Sequence, residues 1–395
     1  MHIHIVGAGV IGLTTAYYLK KKGHDVTLID KEDGVAKGSS FANGGQLSYC
    51  FSDPLGKPNL ISKFYKIASN RDPAIKFGFP NSFDSVKWLI SFAKNCKRDA
   101  YKNNQLELAE LSLASRSLLY DLQKYINFDF DHQKSSKMSL FEGEEEFSYE
   151  ENLLHKKRLL GNDNVALTIE AAVLKEPCIQ SLNRKYVGAI FSESDEVGDT
   201  YLFCTSLKNW LEDNGAKFLF NTEIKELVKR KKKLKGLKTN KGFIDSKKLV
   251  VCAGTLTGTI IKSPQSITSA KGYSITLPPG AVDFKMSLTL TDQKILFTKL
   301  GNNIRITGFA DFFYNGLSSK KRLEELLSIA RDIAPDLADY DSLRSNTWSG
   351  DRPCTPSSIP YIGPSDIEGA FINSGHGFYG WTLSFASGVK ISNYF

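Results

Sequence analysis

Gly7, Gly9 and Gly12 fall as G-x-G-x-x-G between an apolar run that begins at Ile3 and a stretch with helical apolar spacing at Leu13, Ala16, Tyr17 and Leu19. Residues of this type at this spacing hold a pyrophosphate. Gly7 allows a tight turn out of a strand, Gly9 lets phosphate approach the backbone, and Gly12 lets the helix lie close on the sheet. The first helical turn, at Val10 and Ile11, offers free N–H groups and the positive end of a helix dipole. A second apolar run ends in Asp30, followed by Lys31. A carboxylate there suits a ribose 2′-hydroxyl and repels a 2′-phosphate, so a dinucleotide without that phosphate is expected.

Other stretches have the same character. Ser39, Ser40, Ala42, Asn43, Gly45, Gln46 and Leu47 belong to a segment dense in small hydroxyl and amide residues, of the kind that lies along a cofactor. Ile224 falls where backbone groups meet an adenine edge, and Ala253-Gly254 end a buried strand in small residues. Near the end of the chain come Gly350, then Gly375, His376, Gly377, Gly380, Trp381 and Thr382, ahead of a helical pattern over 383–395.

Positioning these residues takes two kinds of element. The β-α-β pattern of the first thirty residues resumes with Gly198-Asp199, a helix over 201–212 with Asp199 as N-cap, and a strand over 217–224 parallel to the first. Residues 226–249 read as a hairpin with a basic tip and 249–255 as a buried strand. Between these parts lie a long helix over 104–122, strands at 137–141, 186–191, 270–277, 294–299 and 303–309, and a helix over 322–333. The predicted fold is an α/β dinucleotide-binding domain of Rossmann type (1–53, 196–268 and 342–395). Into it is inserted an α+β substrate or cap domain built on an antiparallel sheet (54–195 and 269–341).

The 395 residues, 41% hydrophobic and 24% charged, suffice for two such cores, and the net charge of +8 is modest. Its basic runs are not interleaved with stacking aromatics, so no nucleic-acid partner is expected. The six cysteines, at 50, 96, 178, 204, 252 and 354, form no C-x-x-C pair. They read as free thiols of a reducing compartment, with no metal. No run is long enough to span a bilayer, and the chain starts almost directly in a strand, so a cytoplasmic protein is expected. The basic, aromatic segment 60–95 (Leu60, Phe64, Ile67, Phe83, Val86, Trp88, Leu89, Phe92) is amphipathic and reads either as cap helices or as a surface touching the inner face of the membrane.

Taken in order, these motifs resemble the D-amino-acid oxidase superfamily of flavoproteins, most closely its D-amino-acid dehydrogenase branch. Lys271-Gly272-Tyr273-Ser274, Gly350-x-Arg352-Pro353-x-Thr355-Pro356 and Gly375-His376-Gly377-x-x-Gly380-Trp381-Thr382 carry the likeness together with the N-terminal motifs. The resemblance implies non-covalent FAD, its isoalloxazine between the 39–46 and 375–382 loops. It also implies Arg352 as the clamp on a substrate carboxylate, with His376 and Tyr273 near the reacting groups. The implied reaction is oxidative deamination of a D-amino acid to a 2-oxo acid and ammonia, by hydride transfer from Cα to flavin N5 and onward to a quinone or carrier. Alternatives within the family are a glycine or sarcosine oxidase and a dehydrogenase of a cyclic imino acid such as hydroxyproline. Ser357-Ser358 stands where the family commonly has Asp-Gly, which places that turn in question.

Overall fold

The computed structural model describes residues 1–50, 52–58, 60, 72–80, 82–158, 161–314 and 316–395. His2–Val6 and Asp25–Ile29 pair in parallel, joined by the helix Val10–Lys21. They lie in a six-stranded sheet of order Tyr361–Pro364, Ala370–Ser374, Leu249–Val251, His2–Val6, Asp25–Ile29, Lys217–Leu219. Its first strand is antiparallel and the others run parallel. Ile3, Ile5, Leu28 and Val250 are buried, as a parallel sheet covered on both faces requires. The helices Val10–Lys21, Thr200–Asp213 and Gly380–Ser392 supply one covering core. The expected cap is present, with Asp199 accepting from the backbone N–H groups of Tyr201 and Leu202.

The second sheet has nine strands. From its edge it runs Asn346–Cys354, Thr268–Leu277, Asn303–Phe312, Ile295–Leu300, Ser287–Leu290, Lys137–Phe141, Gly188–Ser192, Val165–Leu167, with Ile75–Phe77 beside Asn303–Phe312. It is mainly antiparallel, but Ser287–Leu290 with Lys137–Phe141 and Ile75–Phe77 with Asn303–Phe312 are parallel pairs. The helix Ser319–Ile333 covers its core through Leu326, Ala330 and Ile333.

Strand pairing and packing cut the chain differently from the expected boundaries. Asn346–Cys354, expected with the dinucleotide-binding part, is an edge strand of the second sheet and pairs with Thr268–Leu277 from Thr268↔Cys354 to Thr276↔Asn346. The long helix, Arg98–Tyr125, was expected in the cap, yet Leu119 and Leu122 sit in the core of the first domain. Ser115 also accepts from Ala386 N at 3.0 Å. The strand expected over 217–224 stops at Leu219, because Asn221 turns the chain through φ +52° and Thr222 N bonds back to Asp30 O. Ile224 therefore opens a separate three-stranded meander, Ile224–Arg230, Lys233–Thr239 and Gly242–Asp245, where one hairpin was expected. In the basic segment, Phe64 and Ile67 lie outside the described residues. The helix Phe83–Asn95 buries Trp88 and Phe92 and exposes Phe83, Val86 and Ile90.

Candidate active site

A cleft of about 580 Å³ lies between the two sheets. The first sheet and its loops bring Gly7, Gly9, Val10, Ile11, Asp30 and Lys31 to one end, with Ser39, Ser40, Ala42, Asn43 and Ile224 beside them. Ala253, Gly254, His376, Gly377, Gly380 and Trp381 line its middle, and the second sheet contributes Tyr273, Gly350 and Arg352 from the far side.

The remaining expected residues lie behind this lining. Gly12 packs against the turn, where a Cβ would stand 1.8 Å from Gly7 O. Gly45, at φ +70°, bonds Asn43 Oδ1 through its N–H and Gly198 N through its carbonyl. Gln46 donates to Ser287 Oγ at 2.6 Å, and Leu47 is fully buried in the core. Gly375, at φ +91°, leaves room for Thr355, and Thr382 Oγ1 accepts from Ser48 N at 3.0 Å. These residues shape the loops that carry the lining.

Both expected anion-end groups have protein partners. Asp30 accepts from Ala8 N at 2.6 Å and from Glu32 N at 2.9 Å, one bond on each carboxylate oxygen. Burial raises its pKa against the pull of those two N–H donors. Each oxygen retains a lone pair for a ribose hydroxyl. The first N–H of the helix, at Val10, donates to Ser40 Oγ at 3.2 Å, which corrects the expectation that this turn is wholly free. The side chain caps the helix from a loop thirty residues on.

Arg352 sits on the edge strand with its guanidinium over Gly272, where a Cβ would fall 2.1 Å from Cζ. Nη1 donates to Phe309 O at 3.0 Å, and Cζ lies 4.9 Å from the Phe378 ring centroid. Among the described residues no carboxylate pairs with it. Burial lowers its pKa, against the weaker opposing pull of Cys354, Asp311 and Tyr273. An internal ion pair, the ordinary role for such an arginine, is thus not formed. Tyr273 has two roles in its place on the cleft wall. Its ring lines the cleft, but its hydroxyl donates to Asp311 Oδ2 at 2.7 Å in a buried group with Arg322. Burial and that carboxylate raise its pKa, so it is held as a neutral wall.

His376 is 2% exposed and its Nε2 has no partner among the described residues; burial alone brings its pKa down to about 3. Asn373 Oδ1 and Trp381 Nε1, on two further lining residues, are also buried without partners among the described residues. Buried polar atoms are ordinarily bonded, and these three belong to residues that line the cleft, which fits a polar ring system there. The His376 ring is neutral through the physiological range, with a consequence for stability. The unfolded ring titrates near 6.5, so its neutral burial contributes fully above that pH and is lost as pH falls toward 3. Between pH 7 and pH 5 the apoprotein should lose about 2 kcal/mol more than His376→Gln in urea titrations. Equal losses in the two proteins would refute the neutral assignment.

The questioned turn survives its substitution. Ser358 adopts φ +67°, the conformation a glycine takes freely, and Ser357 Oγ accepts from Ile359 N as a short acid would. Ser358 Oγ also accepts from Leu55 N at 2.9 Å, tying the turn to the segment entering the cap. Sequence reasoning did not single out Thr307, Asn373 or Phe378 as site residues, though all three are on the cleft wall. Asn373 flanks the glycine-rich motif at 375–382 and Phe378 lies inside it, so both were within reach. Thr307 faces the cleft from the middle of a buried strand, and nothing local marks it.

The family model described as FAD dependent oxidoreductase (DAO) matches residues 2–393. The D-amino acid dehydrogenase of Neisseria meningitidis is 30% identical over 393 residues, covering 98% of this chain and 94% of the relative. That of Vibrio atlanticus is 29% identical over 399 residues, covering 100% and 95%. Among solved structures, glycine oxidase from Geobacillus kaustophilus superposes with a TM-score of 0.74 at 21% identity, covering 99% of this chain and 93% of that one. L-proline dehydrogenase from P. horikoshii gives 0.73 at 20% identity, covering 99% and 92%.

Proposed function

The chain belongs to the FAD dependent oxidoreductase (DAO) family and uses FAD, and from that premise we propose that it deaminates D-amino acids oxidatively, giving a 2-oxo acid and ammonia and passing electrons to a quinone or carrier. The observation that carries this reading is Arg352, a guanidinium on the cleft wall without a carboxylate partner among the described residues. The names of the Neisseria and Vibrio relatives support it.

The glycine turn at 7–12, Asp30 and the 39–43 loop hold the nucleotide, and the 375–381 loop holds the isoalloxazine, without a covalent bond. Bound flavin supplies the hydride acceptor. Arg352 takes the substrate carboxylate bidentately and so orients the Cα–H bond; positioning of this kind does most of the work in a reaction with little acid–base demand. His376 stays neutral and offers Nε2 to the bound ring. The N-terminus of Gly380–Ser392 places N–H groups and a partial positive charge where negative charge develops. Electron delivery proceeds at a membrane surface. On the Phe83–Asn95 helix, Phe83 (74% exposed), Ile90 (55%) and exposed Lys87 and Lys94 form an apolar and basic face suited to an anionic bilayer. Co-sedimentation with anionic liposomes that does not exceed that with neutral ones would refute this contact.

The catalytic reading is tested by mixing the yellow holoprotein anaerobically with D- and L-amino acids, glycine, sarcosine and hydroxyprolines, then admitting air. Bleaching by D-amino acids with slow recovery in air is expected. Absence of bleaching by every amine would overturn it.

A further inference from the structure

We propose that the buried Arg322–Asp311 pair is a positioning device for Arg352, holding a β-bulge at Phe309–Ala310 whose carbonyl sets the rotation of the guanidinium. The inference rests on the reading of Arg352 as the carboxylate site and adds what makes that site directional.

The bulge is read from the register. Thr268–Leu277 pairs with Asn303–Phe312 as Lys271↔Asp311 and then Tyr273↔Gly308, so Gly272 alone faces Phe309 and Ala310. Phe309 takes φ +64° although it is bulky and 3% exposed; bulges with this conformation ordinarily carry glycine there. In a regular ladder the Phe309 carbonyl would bond a neighbouring strand. Here it accepts from Arg352 Nη1 at 3.0 Å.

Several contacts keep the bulge from relaxing. Arg322 Cζ lies 4.2 Å from the Phe309 ring centroid. Arg322 is fully buried and grips Asp311 with two bonds, Nε to Oδ2 at 3.0 Å and Nη2 to Oδ1 at 2.7 Å. Its Nη1 reaches Pro73 O at 2.8 Å and Glu325 Oε2 at 2.6 Å. Ala310 N donates to Ala74 O at 2.8 Å, just ahead of the strand Ile75–Phe77 that flanks the bulge. A buried ion pair is a weak stabiliser beside an apolar core of the same volume, but it holds geometry tightly. Arg322 does not reach the cleft; it acts through Phe309.

The consequence is directional. Gly272 provides a floor without a side chain and Phe309 O a single fixed acceptor, so the guanidinium plane cannot turn and its other donors stay presented to the cleft. Such a fork binds a carboxylate in one orientation.

The test uses holoprotein with benzoate as a carboxylate probe, read by its perturbation of the flavin spectrum. Phe309→Gly and Arg322→Lys should each weaken benzoate binding about 10-fold with FAD content unchanged, and neither should weaken it further when combined with Arg352→Lys. Phe309→Gly removes the ring packed on Arg322 and frees the backbone at 309 to leave φ +64°, while the charged residues stay in place, so it carries the test if Arg322→Lys does not fold. Unchanged benzoate binding in Arg352→Lys would overturn the carboxylate reading itself. Weakened binding there, with unchanged binding in Phe309→Gly, would overturn only the role of the bulge. So would additive losses in the double variants.

Discussion

Arg352→Met should purify yellow and folded, yet lose about 10³-fold in kcat/KM for flavin reduction by amino acid, about 4 kcal/mol of transition-state stabilisation. The magnitude follows from what the side chain does in the folded protein. It has one carbonyl bond and one aromatic contact, and no carboxylate partner among the described residues. Removing it therefore strands no internal anion. The cost to stability is limited to one orphaned carbonyl, roughly 1–2 kcal/mol, offset in part by relief of the desolvation of a half-buried charge. The prediction is thus a separation of activity from fold. A stopped-flow measurement of flavin reduction beside a urea titration decides it. A variant that is inactive because it unfolds, or one that reduces flavin at the parental rate, would contradict the site.

The glycines of the first turn should separate in the same manner. Gly12→Val places its Cβ 1.8 Å from Gly7 O and 2.9 Å from Gly7 C, atoms of rigid backbone, and should destabilise the apoprotein by more than about 3 kcal/mol. Gly9 is otherwise. Its φ of −77° suits any residue, and its Cβ would meet only Ser40 Oγ, at 3.3 Å. Gly9→Val should keep the apoprotein within about 1 kcal/mol of the parent and weaken FAD at least about 100-fold, because the added side chain stands where phosphate approaches. Equilibrium dialysis against FAD, paired with denaturation of both apoproteins, measures the two effects. If Gly9→Val binds FAD normally, the pyrophosphate does not lie on this turn.

The motif gives those two glycines different roles by position, and their contacts give the size of each effect. A β-α-β unit was legible because its signals are local. Apolar runs of strand length, helical spacing and three glycines all sit within one short stretch, and the covalent chain brings them together whatever the rest does. The N-cap at Asp199 is likewise a bond between neighbours in sequence.

The domain boundary at 342 was misjudged because no local pattern says which sheet a strand joins. Asn346–Cys354 is polar and half-buried, and it belongs to the second sheet through pairing with residues some eighty positions earlier. Tyr273 illustrates the same limit. Its type and motif left open whether it faces substrate or packs in the core; its ring lines the cleft, while Asp311 and Arg322, brought in from a neighbouring strand and a later helix, engage its hydroxyl.

The sequence by itself determined the dinucleotide unit, the order of its motifs and the family they point to, since each depends on residues close along the chain. Tertiary structure alone decided that Arg352 lacks an anion among the described residues, that Ser40 caps the first helix, and that a bulge turns the Phe309 carbonyl toward the guanidinium. Each of these is a relation between segments far apart in the chain, and long-range pairing and burial leave no periodic trace in either segment.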